Sequence, residues 1–300
     1  MIGKRDVNEW RHALRKLQSL DFVSPIAHHP RIDRDLFQRM RWSYDCLPDA
    51  NLKNCFLYCA MFPQDTAFRV NPLLHMWMAE SLIKTKDTGH RYVKFLEDCC
   101  LFQVKHQENV ITVHDAVRDM AIYIGETEEN CVFRAGQMLQ RFPETVIDCK
   151  RISVLGNGIK SLPTQELRCQ KLVTLFLGKL ELKEIPELKE IPEAFLQGLT
   201  SLKVLDLSGT QLKSLPLSLW ELRQLEFLNL SWTEIANLHE GIGNLSSLQF
   251  LNISHCSKLK SLPSQIGKLG NLKYFDFSNC YNLKVIPKEI TKLSNCEIVQ

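Results

Sequence analysis

The sequence predicts an α+β chain with two different architectures: helices with one β-hairpin in its first half, and a repeating solenoid with a short parallel sheet in its second. Leucine is unevenly distributed, with 13 residues in positions 1–150 and 32 in positions 151–300. The later leucines recur at a nearly constant spacing, whereas the earlier apolar residues follow helical spacing. We therefore expect separate domains with different folds.

Composition places the chain among globular proteins and excludes several classes. Of 300 residues, 45% are hydrophobic and 24% are charged, and Lys+Arg 37 against Asp+Glu 34 leaves a net charge of +3. That charge is too small to indicate nucleic-acid binding. No apolar run reaches the roughly 18 residues of a membrane span. The polar N-terminus does not resemble a secretory signal, and eleven scattered cysteines favour a reducing, intracellular compartment.

The second half contains a leucine-rich repeat. The pattern L-x-x-L-x-L begins at positions 202, 225 and 248, returns with aromatic substitutions at 272, and has earlier copies at 172 and, more weakly, 149. This period of about 23 residues is typical of the leucine-rich-repeat solenoid. Each copy forms a short strand, and stacking of the copies buries the leucines and builds a parallel sheet. We predict about six units over residues 149–300, without a polar cap at the end.

Side chains between the inward leucines face the concave side of the predicted sheet. Phe227, Phe250 and Tyr274 occupy the same position in successive repeats, which predicts an exposed row of rings. Exposed aromatic groups with polar neighbours suggest a protein-binding surface. The other interpretation is that the rings are covered by the first domain of the same chain. The predicted surface comprises Phe176, Phe227, Asn229, Trp232, Phe250, Asn252, His255, Tyr274 and Asp276.

The first half predicts a winged-helix domain over residues 25–125. Apolar residues at helical spacing indicate helices near positions 36, 52, 72 and 92, and alternating segments at 101–105 and 109–113 predict a hairpin. Asp115 is expected to cap a last short helix. Residues 126–148 are predicted as a linker to the repeats.

No enzyme, metal or DNA site is predicted. The chain lacks a G-x-x-x-x-G-K-[ST] loop and any local Ser-His-Asp or Cys-His arrangement. Cys55 and Cys59 have no nearby pair that would complete a metal site. Winged-helix domains often read DNA, but the helix near residues 72–83 exposes too little positive charge for phosphate contacts.

Three segments occur in an order that identifies a family. They are Met40–Asp65 (MRWSYDCLPDANLKNCFLYCAMFPQD), Leu74–Ile83 (LHMWMAESLI) and Val113–Ile124 (VHDAVRDMAIYI). Together with the repeats they resemble plant nucleotide-binding, leucine-rich-repeat disease resistance proteins of the coiled-coil type, across essentially the whole chain. The resemblance implies that residues 1–24 are the last helix of a preceding ARC1-like helical subdomain and residues 25–125 an ARC2-like winged helix. It also implies truncation before the nucleotide-binding domain.

The resemblance assigns a cofactor role to one motif. The family's Met-His-Asp motif appears here with Val113 in place of methionine, and the resemblance implies that His114 contacts the phosphate of ADP, with Asp115 holding the loop. ADP is thus implied by the family alone. Because the phosphate-binding loop is absent from this sequence, no cofactor and no ATP hydrolysis are expected for the chain by itself.

The resemblance also implies a function and its partners. We expect a fragment of an intracellular plant immune receptor, whose winged helix senses nucleotide state and whose repeats mediate autoinhibition and recognition. The implied partners are the nucleotide-binding domain of the intact or a related receptor, and a pathogen effector or guarded host protein. The alternatives are an autonomous truncated interaction or decoy protein without nucleotide binding, and a non-functional gene remnant.

Overall fold

The computed structural model describes residues 34–143, 146, 148–179 and 188–300. The helix predicted within residues 1–24 lies outside the described residues, as does the start of the predicted winged-helix domain up to residue 33. The described chain folds into a helical domain followed by a repeat domain, and the two pack against each other.

The first domain consists of helices and a small antiparallel sheet. Its described helices are α1 (Arg34–Asp45), α2 (Ala50–Leu57), α3 (Val70–Ala79), α4 (Lys86–Asp98) and α5 (Asp115–Glu128), with a 3-10 turn at Tyr58–Met61. Its strands are β1 (Phe68–Arg69), β2 (Gln103–Lys105) and β3 (Val110–Thr112), arranged in the order β1-β3-β2. The predicted helices and hairpin are confirmed. The two-residue strand β1 was not predicted, because so short a segment has no measurable periodicity.

Side-chain caps fix where two of the helices begin. Asp49 accepts a hydrogen bond from the Leu52 amide at the start of α2, and Thr85 accepts one from the Thr88 amide at the start of α4. Such caps satisfy amides that have no partner within the helix. The Tyr92 hydroxyl of α4 also donates to Asp49 at 3.1 Å, so one carboxylate connects the two helices.

The second domain is a solenoid built on a parallel sheet. Its eight described strands are β4 (Cys131–Phe133), β5 (Arg151–Ser153), β6 (Thr174–Phe176), β7 (Val204–Asp206), β8 (Phe227–Asn229), β9 (Phe250–Asn252), β10 (Tyr274–Asp276) and β11 (Glu297–Val299). They pair in sequence order. Short helical segments return the chain between strands, namely α6 (Glu193–Leu196) and 3-10 turns at Leu217–Glu221, Glu240–Asn244, Ser264–Lys268 and Lys288–Lys292. The repeating leucine-rich architecture is thereby confirmed.

The predicted linker at residues 126–148 is wrong in its first part. Helix α5 continues to Glu128, and Cys131–Phe133 pairs in parallel with Arg151–Ser153 as the first strand of the sheet. Cys131 and Phe133 are buried, so this strand contributes to the core of the neighbouring helical domain. The strand precedes the leucine pattern, so the repeat period could not identify it.

Side chains alternate in direction along each repeat strand, which divides them between two cores. The central residue, such as Leu228 in β8, packs among the leucines inside the solenoid. The flanking residues Phe176, Val204, Phe227 and Phe250 belong instead to the apolar cluster of the helical domain. Helix α3 lies against β8. The first domain therefore packs on the concave face of the sheet.

Candidate functional site

A stack of aromatic rings lies where the two domains meet. The rings of Phe227 and Phe250 are parallel with centroids 4.4 Å apart, and those of Phe250 and Tyr274 follow at 4.7 Å. We call these three residues the aromatic row. Only 1% of Phe227 and 4% of Phe250 are exposed, while Tyr274 is half-buried. The prediction of an exposed row is wrong for both phenylalanines, and the interpretation that the first domain covers them is correct.

The cover is supplied by α3 and the segment before it. The His75 imidazole of α3 lies 4.7 Å from the Phe250 ring and 5.5 Å from the Tyr274 ring. Phe176, another residue of the predicted surface, is fully buried with its ring 5.9 Å from that of Phe62. Burial lowers the pKa of His75 to about 4, with smaller contributions from the charges of Lys86 and Lys273. The imidazole therefore packs as a neutral ring.

A buried ion pair joins the domains beside these rings. The Arg151 guanidinium of β5 donates to the Glu80 carboxylate that follows α3, with Nε at 2.9 Å from Oε1 and Nη2 at 2.6 Å from Oε2. The exposed fractions of the two side chains are 0% and 2%. A buried pair of this kind is strongly destabilised when one partner is removed, because the other charge is left without compensation.

Further polar groups complete the pair. Arg151 Nη1 donates to Asn54 Oδ1 at 3.0 Å, and the Tyr58 hydroxyl donates to Glu80 Oε1 at 2.6 Å. Thr174 of β6 also donates to Glu80. Burial would raise the pKa of Glu80, but the Arg151 charge and these hydrogen bonds outweigh it, so the pKa is lowered. We call Asn54, Tyr58, Glu80, Arg151 and Thr174 the polar cluster.

Additional hydrogen bonds extend the contact between the two domains. The Ser153 hydroxyl donates to the Met61 carbonyl at 2.6 Å, and Arg118 Nη2 of α5 donates to the Ala135 carbonyl, just after β4, at 3.3 Å. No sequence pattern predicts the polar cluster, because Glu80 and Arg151 are 71 residues apart and belong to different periodic patterns. One weak indication is that Arg151 is a charged residue within the first strand that the leucine pattern predicts.

The His114 motif lies away from this contact, on the exposed side of the first domain. His114, rather than the predicted Asp115, is the N-cap of α5, and its Nδ1 accepts a hydrogen bond from the Ala116 amide at 3.2 Å. Asp115 is the first residue of the helix, and its Oδ2 accepts a hydrogen bond from Gln64 at 2.6 Å. This hydrogen bond connects Asp115 to the loop that contains Gln64.

An open cleft of about 380 Å³ adjoins the motif. Its walls include Thr66, Gln103, Val113, His114 and Asp115. With Nδ1 acting as an acceptor, the neutral imidazole carries its proton on Nε2 and can donate it to an anionic oxygen. The N-terminus of the 14-residue α5 adds favourable potential for such an anion. The residues present therefore fit one phosphate contact.

The remaining residues of the predicted surface serve two different purposes. Asn229, Asn252 and Asp276 each accept the hydroxyl of a serine two residues later, at 2.8, 2.7 and 2.7 Å, and so stabilise the turn that leaves each strand. Trp232 and His255 stack with centroids 3.9 Å apart, and 45% of Trp232 is exposed. These two residues remain available to a partner.

The described residues give little indication of DNA binding, metal binding or a membrane span. Residues 70–79, the helix that would enter a DNA groove, pack against the repeat sheet. Among the described residues there is no cluster of three or more His, Cys, Asp or Glu side chains that could hold a metal ion. No helix in this part of the chain is long and apolar enough to cross a bilayer. None of the eleven cysteines forms a disulfide bond.

Comparison with known proteins agrees with the architecture. The family described as Disease resistance protein Winged helix domain matches residues 61–121, and the family described as Leucine-rich repeat region matches residues 196–300. Disease resistance protein At4g27190 of Arabidopsis thaliana is 33% identical over 231 residues, covering 72% of this chain and 22% of that protein. Disease resistance protein RPS5 of the same plant is 31% identical over 260 residues, covering 75% and 28%.

Among solved structures, the leucine-rich repeat domain of the type III effector XCV3220 (XopL) aligns with a TM-score of 0.40 and 17% identity, covering 92% of this chain and 97% of that one. The chain spans about a quarter of the length of the two Arabidopsis relatives. Its winged-helix and repeat regions match the two family descriptions in that order along the chain. The chain belongs to the plant disease resistance proteins of the nucleotide-binding, leucine-rich-repeat type.

Proposed function

We propose that this chain is the part of a cytoplasmic immune receptor in which the repeats keep the winged-helix domain in its resting position. In this proposal the repeats mediate autoinhibition and also recognise a pathogen effector or a guarded host protein. The winged helix packs on the nucleotide-binding domain of the receptor and senses its nucleotide state. Eleven cysteines without a disulfide bond fit a reducing compartment.

The polar cluster is the observation that carries the proposal. Its ion pair crosses the domain boundary, is almost fully buried, and uses hydrogen bonds from both domains. A contact of this kind has two discrete states, because separation exposes Glu80 and Arg151 together to water. Two-state contacts are the physical basis of switching between conformations. The aromatic row adds apolar area to the same contact, which favours the closed state.

Removing Glu80 in the whole receptor tests the restraint. With Glu80→Ala, we expect a defence response in leaf tissue without any pathogen, because Arg151 then disfavours the closed contact. The matched control is Glu128→Ala, which removes an exposed ion pair between Arg41 and Glu128 within the first domain. A receptor that accumulates normally with Glu80→Ala and still stays silent contradicts the proposal.

A milder variant covers the case in which Glu80→Ala fails to accumulate. Tyr58→Phe removes one hydroxyl bonded to Glu80 and Thr174 but keeps the ring. We expect a weaker response of the same sign, because removal of one buried hydrogen bond costs about 1 to 3 kcal/mol. Silence of a well-accumulated Tyr58→Phe receptor in a sensitised background counts against the restraint.

The nucleotide role of His114 is a second component of the proposal. Its support is the free Nε2 donor at the N-terminus of α5, beside an open cleft. In a receptor that contains the nucleotide-binding domain, His114→Ala is expected to lower retained ADP by about tenfold or more, since a hydrogen bond to a charged group contributes about 1.5 to 3 kcal/mol. Chromatography of the nucleotide released from purified receptor measures this. Unchanged ADP content contradicts the role.

A further inference from the structure

The turns that leave the repeat strands form a second row of equivalent residues. Gly209, Trp232, His255 and Asn279 each come three residues after a strand. Each of the first three amides donates to a serine carbonyl of the next repeat: Gly209 to Ser231, Trp232 to Ser254 and His255 to Ser278. We call these four residues the turn row. They share a left-handed backbone, with φ of 68°, 60°, 58° and 57°.

Two large rings occupy positions where the backbone favours glycine. Glycine stands at the equivalent positions 136 and 156, also with positive φ. A tryptophan or histidine in this conformation costs on the order of 1 to 2 kcal/mol relative to an ordinary backbone. Strain of this kind suggests a function when a structure shows it. The stacking of Trp232 on His255, with an interplanar angle of 7°, offsets part of the cost.

Gly209 leaves the other face of Trp232 open. One face of the indole is covered by His255, and the adjacent position on the opposite side is Gly209, which has no side chain. The chain cannot fill that position itself, because a Cβ on Gly209 would lie 2.6 Å from the Lys179 carbonyl oxygen. Neighbouring strands are about 4.8 Å apart, so the space suits one flat group stacked on the indole.

The cleft around this space is acidic and aromatic. It has a volume of about 400 Å³, and its lining includes Gly209, Gln211, Trp232, Glu234 and Tyr281. Among the described residues of the lining, Glu234 is the only acidic one, and none is a lysine or an arginine. Within the described residues, the Glu234 carboxylate has no hydrogen bond or ion pair. Tyr281 is 80% exposed and adds a second ring at the rim.

We propose that this cleft binds an arginine side chain of a partner polypeptide, with the guanidinium stacked on Trp232 over Gly209 and paired with Glu234. A flat cation satisfies both features of the site, because a guanidinium stacks on an aromatic face and also pairs with a carboxylate. A neutral ring would leave Glu234 without a partner, and an acidic group would be repelled by it. The inference rests on the proposal that the repeats bind a partner, and it specifies the chemistry of that partner.

Peptide titration of the whole chain tests the site. The probe is a Gly-Ser peptide with one central arginine, and the comparison peptide carries citrulline, which is flat and neutral. The indole N–H signal of Trp232 is assigned from the spectrum of Trp232→Phe and followed by NMR. We expect a saturable shift with the arginine peptide and about tenfold weaker binding of the citrulline peptide, because citrulline lacks the charge that pairs with Glu234.

Variants separate the site from general surface effects. Trp232→Gly removes the ring while keeping the backbone found at Gly209. Because it also removes the indole signal, binding to this variant is followed through the backbone amide signals of the turn row, and no saturable binding should remain. Glu234→Gln should weaken binding about three- to tenfold, since it removes only the charge. Leu217→Ala, which changes an exposed apolar residue outside the cleft, should leave binding unchanged.

Three results would overturn the inference: no saturable Trp232 shift at millimolar arginine peptide, equal binding of the citrulline peptide, or full binding by Glu234→Gln. Preference for a peptide with glutamate at the central position would do the same. Failure here is distinguishable from failure of the restraint proposal, because the polar cluster is tested by Glu80→Ala without any peptide.

Discussion

Two rows of stacked aromatic side chains in the same repeats have opposite surroundings. The aromatic row of Phe227, Phe250 and Tyr274 is covered by the first domain, whose His75 imidazole packs against Phe250. Trp232 and His255 in the turn row follow the strands by three residues and remain partly exposed. Both rows arise from one period of about 23 residues, so the period alone does not determine burial.

The difference shows what a repeat sequence does and does not encode. Periodicity fixes the direction of each side chain, because in-register strands place equivalent residues side by side. Whether a face is then covered depends on a domain that is distant in sequence. The aromatic row packs like a core and the turn row like a recognition surface. The two rows should therefore respond differently to substitution.

The largest effect is expected from the polar cluster. Glu80→Ala should lower the free energy that couples the domains by about 3 to 5 kcal/mol, because Arg151 is left buried and unpaired. Chemical denaturation of the whole chain measures the loss. Glu128→Ala, at an exposed pair, should cost about 1 kcal/mol or less. Equal losses in the two variants would show that the cross-domain pair is no stronger than a surface pair.

Substitution in the aromatic row should have the next largest effect on stability. Phe250→Ala removes a ring that stacks on Phe227 and Tyr274 and contacts His75, and the expected loss of unfolding free energy is about 3 kcal/mol. The same denaturation experiment applies. A loss below about 1 kcal/mol would mean that the row is accessible to solvent, in conflict with its cover by α3.

A fall in pH should weaken the packing of His75 on the aromatic row. Since burial lowers the pKa of His75 from 6.5 to about 4, the unfolded chain takes up the proton first as the pH falls. The stability that the neutral His75 imidazole contributes to the fold is complete above pH 6.5 and is lost between pH 6.5 and 4. About 2 kcal/mol of it is lost at pH 5. His75→Gln should remove this part of the pH dependence. Parallel stability curves for the two proteins over this range would contradict the neutral, buried imidazole.

The turn row should show the smallest effect on stability. Trp232→Gly loses the stack on His255 but relieves the left-handed backbone strain, and these two changes have opposite signs. We expect a net change within about 1 kcal/mol. Comparison with Phe250→Ala under the same conditions sharpens the contrast. A loss as large as that of Phe250→Ala would place Trp232 in a core.

Sequence reasoning recovered the architecture because both halves have strong periodic signals. The leucines predicted the sheet from β5 to β10, and helical spacing predicted α1 to α5. It missed β4, whose three residues lie outside the leucine pattern. It also assigned the helix cap to Asp115 instead of His114, because aspartate is the commoner cap and the imidazole bond to Ala116 has no sequence signature.

The contact between the domains could be predicted only as an alternative. The predicted direction of the Phe227 and Phe250 side chains, toward the concave face, is correct. Their burial depends on α3, which lies outside the repeats and is not described by the repeat pattern. The polar cluster was missed entirely, since Glu80 and Arg151 meet only after both domains fold. Long-range pairs between unrelated periodic segments are the features that a single sequence does not reveal.

Amide hydrogen exchange of the whole chain tests most directly whether the polar cluster keeps the domains together. Exchange in α3 and in strands β8 and β9 should be slow in the unmodified chain and much faster in Glu80→Ala, while Glu128→Ala should match the unmodified chain. Slow exchange of all three segments in Glu80→Ala would contradict the account, because the domains would then remain in contact without the pair.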